Sequence, residues 1–181
     1  MLILLDRDGV LNEERVGFVK SPGELVMIDG SAQAVADLNS AGHRIVVITN
    51  QSVVGRGIIS QYMLDRIHEA MRTELARVGG SLDDIFACTD PPWAATERRK
   101  PGAGMLHEAL SRYRGIASET PMIGDSLRDL QAAAAAGCRR ILVRTGDGAA
   151  TQAEGLSNDV LPVEVHENLR SAVNVLLENE S

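Results

Sequence analysis

Apolar residues gather in five short blocks along the chain, at positions 2–5, 45–49, 85–88, 122–124 and 141–143. Each block is continuous rather than alternating, the pattern of a strand covered on both faces. Between the blocks, apolar positions recur at helical spacing. Residues 31–40 carry Ala32, Val35, Ala36 and Leu38, and residues 60–77 carry Met63, Leu64, Ile67, Met71 and Leu75 behind Ser60 as a candidate N-cap. Gly79-Gly80 supplies a stop for that helix. Residues 104–113, 126–136 (closed by Gly137) and 168–177 complete the predicted helices. The stretches 91–99 and 146–158, rich in Pro and in Gly/Ala respectively, read as loops.

Strands that alternate with helices predict an α/β fold: a three-layer, Rossmann-like parallel sheet with helices on both faces. Such sheets bind ligands beyond the carboxyl ends of their strands. Polar residues should therefore collect there, and Asp6, Thr49-Asn50 and Asp125 each follow an apolar block.

Composition narrows the classes of function. A chain of 181 residues has the length of one domain. Hydrophobic residues at 44% and charged residues at 24% are ordinary globular usage. Aromatic residues are only 3%, so the core is aliphatic and base-stacking platforms are not expected. A net charge of −7 argues against nucleic acid and anionic membrane as partners, though not against a small anionic substrate. Cys88 and Cys138 lie far apart and form no disulfide framework. With no signal-like segment and no apolar run of ~20 residues, a cytoplasmic protein is expected.

Four local patterns carry candidate chemistry. Asp6-Arg7-Asp8-Gly9 follows the first block, so two carboxylates one residue apart can share a metal ion and still take different roles; surface turn aspartates are the alternative. Thr49-Asn50-Gln51-Ser52 offers a hydroxyl and turn amides to an anion, or is plain turn chemistry. Arg98-Arg99-Lys100-Pro101 is a compact basic cluster: Lys100 can neutralise a carboxylate and a phosphoryl group together, and Arg99 can clamp a second anion, unless the cluster is a solvated loop. Asp125 stands at a strand end, with Ser126 opening a helix, where a hard cation such as Mg²⁺ can sit, whereas Asp129 reads as a first-turn acid favoured by the helix dipole.

Together, in the order Asp-x-Asp, Thr, Lys, Asp, these residues resemble the four motifs of the haloacid dehalogenase-like (HAD) phosphatases. The likeness is closer to the D-glycero-D-manno-heptose 1,7-bisphosphate 7-phosphatase family and its histidinol-phosphatase relatives, through LDRDGVLN, TNQSVVGRG, RKPGAGM, GDSLRDLQAA and LVRTG. The resemblance implies a phosphoric monoester hydrolase acting on a small phosphorylated sugar. It implies Asp6 as nucleophile, Asp8 as acid and base, and Thr49 and Lys100 on the transferring phosphoryl group. It further implies Asn50, Gln51, Ser52 and Arg99 at the substrate, and Mg²⁺ held by Asp6, the Asp8 carbonyl and Asp125. The heptose bisphosphate, cut at its 7-phosphate, is the substrate it favours, with histidinol phosphate or another small phosphomonoester as the alternative.

Departures from the family pattern matter. Many relatives carry a zinc loop, Cys-x-His … Cys-x-Cys, where this chain reads Cys88-Thr89-Asp90 … Thr96-Glu97-Arg98-Arg99. Four N or S ligands cannot be assembled there, so no structural zinc is expected. Pro91-Pro92 and Trp93 are left to hold the loop. Val53 stands where relatives usually have glycine, and a β-branched residue disfavours positive φ, so this turn is expected to differ in shape. The stretches from Asp8 to Thr49 and from Thr49 to Lys100 must each supply a helix and a strand, which leaves no room for a cap domain of ~60 residues. An open site is therefore expected on a single-domain, monomeric chain. A signalling receiver domain also uses Asp, Thr and Lys at strand ends. It would place its reactive aspartate after the third strand, however, and would omit Asp8.

Overall fold

The computed structural model describes residues 1–179. Its centre is one six-stranded sheet: β1 (Leu2–Leu5), β2 (Arg44–Asn50), β3 (Asp84–Cys88), β4 (Pro121–Gly124), β5 (Arg139–Val143) and β6 (Glu164–His166). The spatial order is β3-β2-β1-β4-β5-β6, and every pairing is parallel. Leu2 stands opposite Arg44, and Leu4 opposite Met122. Chain order reverses between β1 and β4, so a crevice opens at their carboxyl ends, directly before Asp6 and Asp125.

Among the described residues, six α-helices lie between strands, α1 (Ser31–Ser40), α2 (Ser52–Gly55), α3 (Gln61–Ala76), α4 (Gly104–Tyr113), α5 (Leu127–Ala136) and α6 (Gly148–Glu154), and α7 (Leu169–Glu178) follows β6. The strand pleat divides the core. Ile3, Leu5, Val47 and Ile123 pack with Val35 and Leu38 of α1, Met71 of α3 and Val173 of α7. Leu4, Val46, Ile48 and Met122 face the other way, onto Leu106 of α4 and Ala132 and Ala133 of α5. Small alanines let α5 lie close to the sheet. Local signals set the helix ends. Ser60 Oγ accepts from the Met63 amide, Asn168 Oδ1 accepts from the Ser171 amide, and Gly137 ends α5 in the left-handed region.

The predicted strands and helices are present, with ends that differ by at most two residues. Three elements depart from expectation. The stretch expected as a loop at 146–158 contains α6: its alanines favour helix, and Thr151 Oγ1 anchors it by donating to the Asp125 carbonyl at 3.0 Å. Strand β6 escaped notice because Glu164-Val165-His166 is an edge strand, paired on one side only and without an apolar block. Val53 is fully buried in the helical turn α2, where no positive φ is called for.

Candidate active site

Four chain segments end at the crevice. Asp6 leaves β1 with its amide bonded to the Ile123 carbonyl at 2.9 Å, which carries the β1–β4 pairing one residue further. Gly9, at φ +77, turns the chain back immediately afterwards. A side chain at Gly9 or at Gly146 would put its first carbon 2.0 or 2.1 Å from Asp125 Oδ2. Two bare backbones thus enclose the Asp125 carboxylate, which also accepts from the Asp147 amide at 2.9 Å.

Lys100 stands at the centre, 2% exposed. Its Nζ lies 2.9 Å from Asp6 Oδ1 and 2.6 Å from Asp129 Oδ1, and donates to the Ile48 carbonyl at 2.7 Å. A buried ammonium is tolerated only when its donors are matched in this way. Asn50 fixes the backbone of Lys100, accepting from its amide at 3.0 Å and donating to its carbonyl at 2.9 Å. Asn50 lines the cleft, but its amide group serves to position Lys100.

Asp129 corrects the sequence reading. Its Oδ2 accepts from the Ser126 amide at 3.0 Å and hydroxyl at 2.6 Å, the helix-start role expected of it. Its Oδ1 pairs with Lys100, and its carboxylate joins Asp6 and Asp125 in a group whose ligand atoms lie within 4.8 Å of one another. The signal was a second acid one helical turn after Asp125, which the dipole explanation absorbed.

The second carboxylate of the Asp-x-Asp pair faces elsewhere. Asp8 Oδ1 accepts from Arg7 and from Asn12, both at 2.9 Å, and Oδ2 accepts from Gln51 Nε2 at 2.7 Å. Its side chain is held apart from the three clustered acids, so any share it takes in a metal falls to its backbone carbonyl. Gln51 also donates to Thr49 Oγ1 at 2.9 Å, linking the two side chains. Ser52 is buried, with its hydroxyl accepting from Arg56 Nε at 3.2 Å. Arg7 was not singled out in the sequence, yet it is 1% exposed and lies 3.3 Å from His68 Nε2 on α3. Arg99 borders the cleft and donates to the Asp90 carbonyl at 2.9 Å.

Charge is strongly frustrated here. Burial, then the neighbouring Asp129, raises the Asp6 carboxyl to about 7 despite Lys100. Burial, then Asp6 and Asp129, raises Asp125 to about 8. Burial also opposes ionisation of Asp129 and Asp8, but Lys100 outweighs it at Asp129, and Arg7 with Asn12 and Gln51 outweighs it at Asp8; both are held below the usual carboxylate range. Burial, and then Arg7, pushes His68 down to about 4, so its imidazole is neutral and accepts from the guanidinium. Three close carboxylates with only oxygen donors, two of them reluctant to ionise, fit a hard divalent cation such as Mg²⁺.

Comparison with known proteins identifies the family. The HAD-hydrolase-like family matches residues 97–172. The D-glycero-β-D-manno-heptose-1,7-bisphosphate 7-phosphatase of Bordetella bronchiseptica is 47% identical over 154 residues, covering 85% of this chain and 86% of that protein. This chain belongs to that phosphatase family. The family member from Pseudomonas aeruginosa is 34% identical over 98% of both chains. Among solved structures, the B. bronchiseptica D,D-heptose 1,7-bisphosphate phosphatase complexed with magnesium and phosphate aligns with a TM-score of 0.94, at 44% identity over 98% of each chain. The Burkholderia thailandensis enzyme aligns at 0.76, with 39% identity over 97% of each. As a member of the heptose-bisphosphatase family, the chain is a phosphoric monoester hydrolase with the α/β HAD fold.

The loop at 88–99, which lacks the four ligands of the Cys-x-His … Cys-x-Cys zinc pattern, is held by polar bonds. Here Asp90 Oδ2 accepts from the Thr96 amide at 2.9 Å and from its hydroxyl at 2.5 Å. These bonds, with the single 3-10 turn Pro92–Ala94, brace the loop.

Proposed function

We propose that this chain is a Mg²⁺-dependent phosphatase that removes the 7-phosphate of D-glycero-β-D-manno-heptose 1,7-bisphosphate. The observation that carries the reading is the meeting of Lys100 with Asp6 and Asp129, beside Asp125, at the switch point of the sheet. Asp6, Asp125 and Asp129, with the Asp8 carbonyl, would hold the cation. When bound, Mg²⁺ supplies positive charge that offsets the phosphoryl oxygens and the crowded carboxylates.

The chain's own groups carry the steps. A carboxylate oxygen of Asp6 attacks phosphorus, the bond to the sugar oxygen breaks, and Asp8 delivers a proton to that oxygen. Asp8 then takes a proton from the water that attacks the aspartyl-phosphate, which releases phosphate and restores Asp6. With Arg7, Asn12 and Gln51 all donating to it, Asp8 rests ionised, the form required of the base in the second step; for the first step it takes up a proton as the phosphate ester brings negative charge beside it. Thr49 accepts from Gln51, so its own hydrogen is available to a phosphoryl oxygen, while Lys100 neutralises charge developing beside Asp6.

A bisphosphate is preferred over a monophosphate because Arg15, Arg99 and Arg128 all border the cleft. Burial and then Arg128 lower the pKa of Arg99, so added negative charge is welcome at this rim. The reading takes the chain as one domain, monomeric and cytoplasmic, and no helix among the described residues is long and apolar enough to cross a membrane. Steady-state rates with heptose 1,7-bisphosphate, fructose 1,6-bisphosphate and histidinol phosphate, each with Mg²⁺, test it. The heptose bisphosphate should give the highest kcat/KM; an equal or higher value for histidinol phosphate overturns the assignment.

A further inference from the structure

Three exposed segments converge beside the cleft on one guanidinium. Arg56, just after α2, has its guanidinium carbon 5.8 Å from the centre of the Phe18 ring and 5.2 Å from that of Trp93. Both distances are within cation–π range. Phe18 belongs to the loop after β1 and lines the cleft, whereas Trp93 belongs to the loop after β3 that leads to Arg99 and Lys100.

Independent features support a built contact. Phe18 has φ +71, a left-handed conformation that a bulky side chain rarely adopts unless its surroundings hold it there. Gly55, the residue before Arg56, has no room for a side chain: a first carbon there would lie 2.2 Å from the Thr89 carbonyl. The Gln51 amide donates to the Cys88 carbonyl at 2.7 Å, so the residue before α2 is tied to the end of β3 while Gly55, at the other end of α2, packs on the loop that follows. Arg56 Nε reaches back to Ser52 Oγ. The guanidinium thus links both rim loops to the segment carrying Thr49 and Gln51.

We propose that Arg56 is a positioning residue whose clamp between Phe18 and Trp93 holds the two rim loops together. It thereby sets recognition of the substrate's end remote from the reacting phosphoryl group. The clamp stands on geometry alone, while its effect on recognition rests on the phosphatase reading above. Each stack at an exposed site is weak, so the clamp tunes substrate binding and leaves the chemical step alone.

Trp93 is the chain's single tryptophan, so its emission reports on the clamp directly. Acrylamide quenching should be compared for the wild type, Arg56→Ala, Arg56→Lys and Phe18→Ala. The same proteins should be assayed with heptose 1,7-bisphosphate and with p-nitrophenyl phosphate, which lacks a remote anionic group. Arg56→Ala should raise the quenching constant by roughly 1.5-fold or more and KM for the bisphosphate about tenfold, with kcat within about threefold and the p-nitrophenyl phosphate kinetics unchanged. Arg56→Lys, charged but unable to lie flat between two rings, should recover less than half of either effect. Wild-type quenching in Arg56→Ala, or full recovery by lysine, overturns the clamp. Altered quenching with KM unchanged for the bisphosphate overturns its role in recognition. A wild-type protein inactive on every phosphate ester counts against the phosphatase reading alone, because the quenching comparison still decides the clamp.

Discussion

At the floor of the cleft, Lys100 sits between Asp6 and Asp129 at 2.9 and 2.6 Å, sealed beneath the ends of β1 and β4. At the rim, Arg56 sits between two exposed rings at more than 5 Å, reached by water from outside. Both arrangements hold one cation between two partners, but they obey different physics. A charge on the floor has no solvent to fall back on, so each partner depends on the others. A charge on the rim loses little when a partner is removed. Chemistry common to many phosphate esters belongs on the floor, and discrimination among them can be adjusted at the rim without disturbing it.

The contrast breaks most sharply at Asp6. Asp6→Asn should lower turnover by about 10⁴-fold or more while circular dichroism stays that of the wild type. Phosphate release at the wild-type rate would remove the nucleophile from the mechanism. Next comes Asp129→Asn, which keeps an oxygen for Ser126 but deprives the cluster of a charge. The Mg²⁺ concentration for half-maximal activity should rise about 10–100-fold, the range seen when a group supporting a metal site is altered.

The floor also carries a pH signature. In metal-free protein the raised Asp6 and Asp125 carboxyls, at about 7 and about 8, bind protons that the unfolded chain, titrating near 3.8, has already released. Between those limits the folded state holds the extra protons, so stability falls as pH rises and is lost through pH 7–8. Thermal melts in a chelator should show Tm dropping from pH 5 to pH 8.5, and Mg²⁺ should recover more of it at pH 8 than at pH 6. A flat chelated profile would mean that the carboxylates do not repel one another as the geometry requires.

The rim responds more weakly. Asp90→Ala removes two bonds to Thr96 in an exposed loop, so Tm should move by a few degrees at most. KM for the bisphosphate should rise only a few-fold. A collapse of kcat there would erase the division between floor and rim. The smallest effect is expected at His68, whose folded pKa of about 4 lies below the ordinary 6.5. The unfolded chain takes up a proton first as pH falls, so His68 contributes stability above pH 6.5 that is lost toward pH 4. His68→Gln should flatten the acid limb of the stability profile in that window, and an unchanged limb would show that burial and Arg7 do not hold the imidazole neutral.

The same division governs what could be read from the chain. Asp6, Thr49, Lys100 and Asp125 announce themselves because each stands at or near the end of an apolar block or beside a proline in a basic cluster. Strand-end position is encoded locally. Asp129 was underrated because a first-turn acid already has a sufficient local explanation, and its second role depends on Lys100 arriving from another segment. Arg7, between two acids, carries no local signal of its own; only the placement of α3 buries it against His68. Arg56 is the extreme case. Phe18, Arg56 and Trp93 come from three loops with no shared periodicity, and nothing local brings them together. Strand β6 and helix α6 escaped for a related reason, since the first is stabilised by a neighbour and the second by an anchor on Asp125.

The walls around Asp125 bear on which ion the enzyme can use. With Gly9 and Gly146 pressed against its carboxylate, that oxygen cannot retreat to make room. Magnesium, which draws its oxygens in to ~2.0–2.1 Å, suits so unyielding a berth. A methyl group on either glycine would displace that carboxylate before any ion arrived, so the cation's seat depends on two hydrogens.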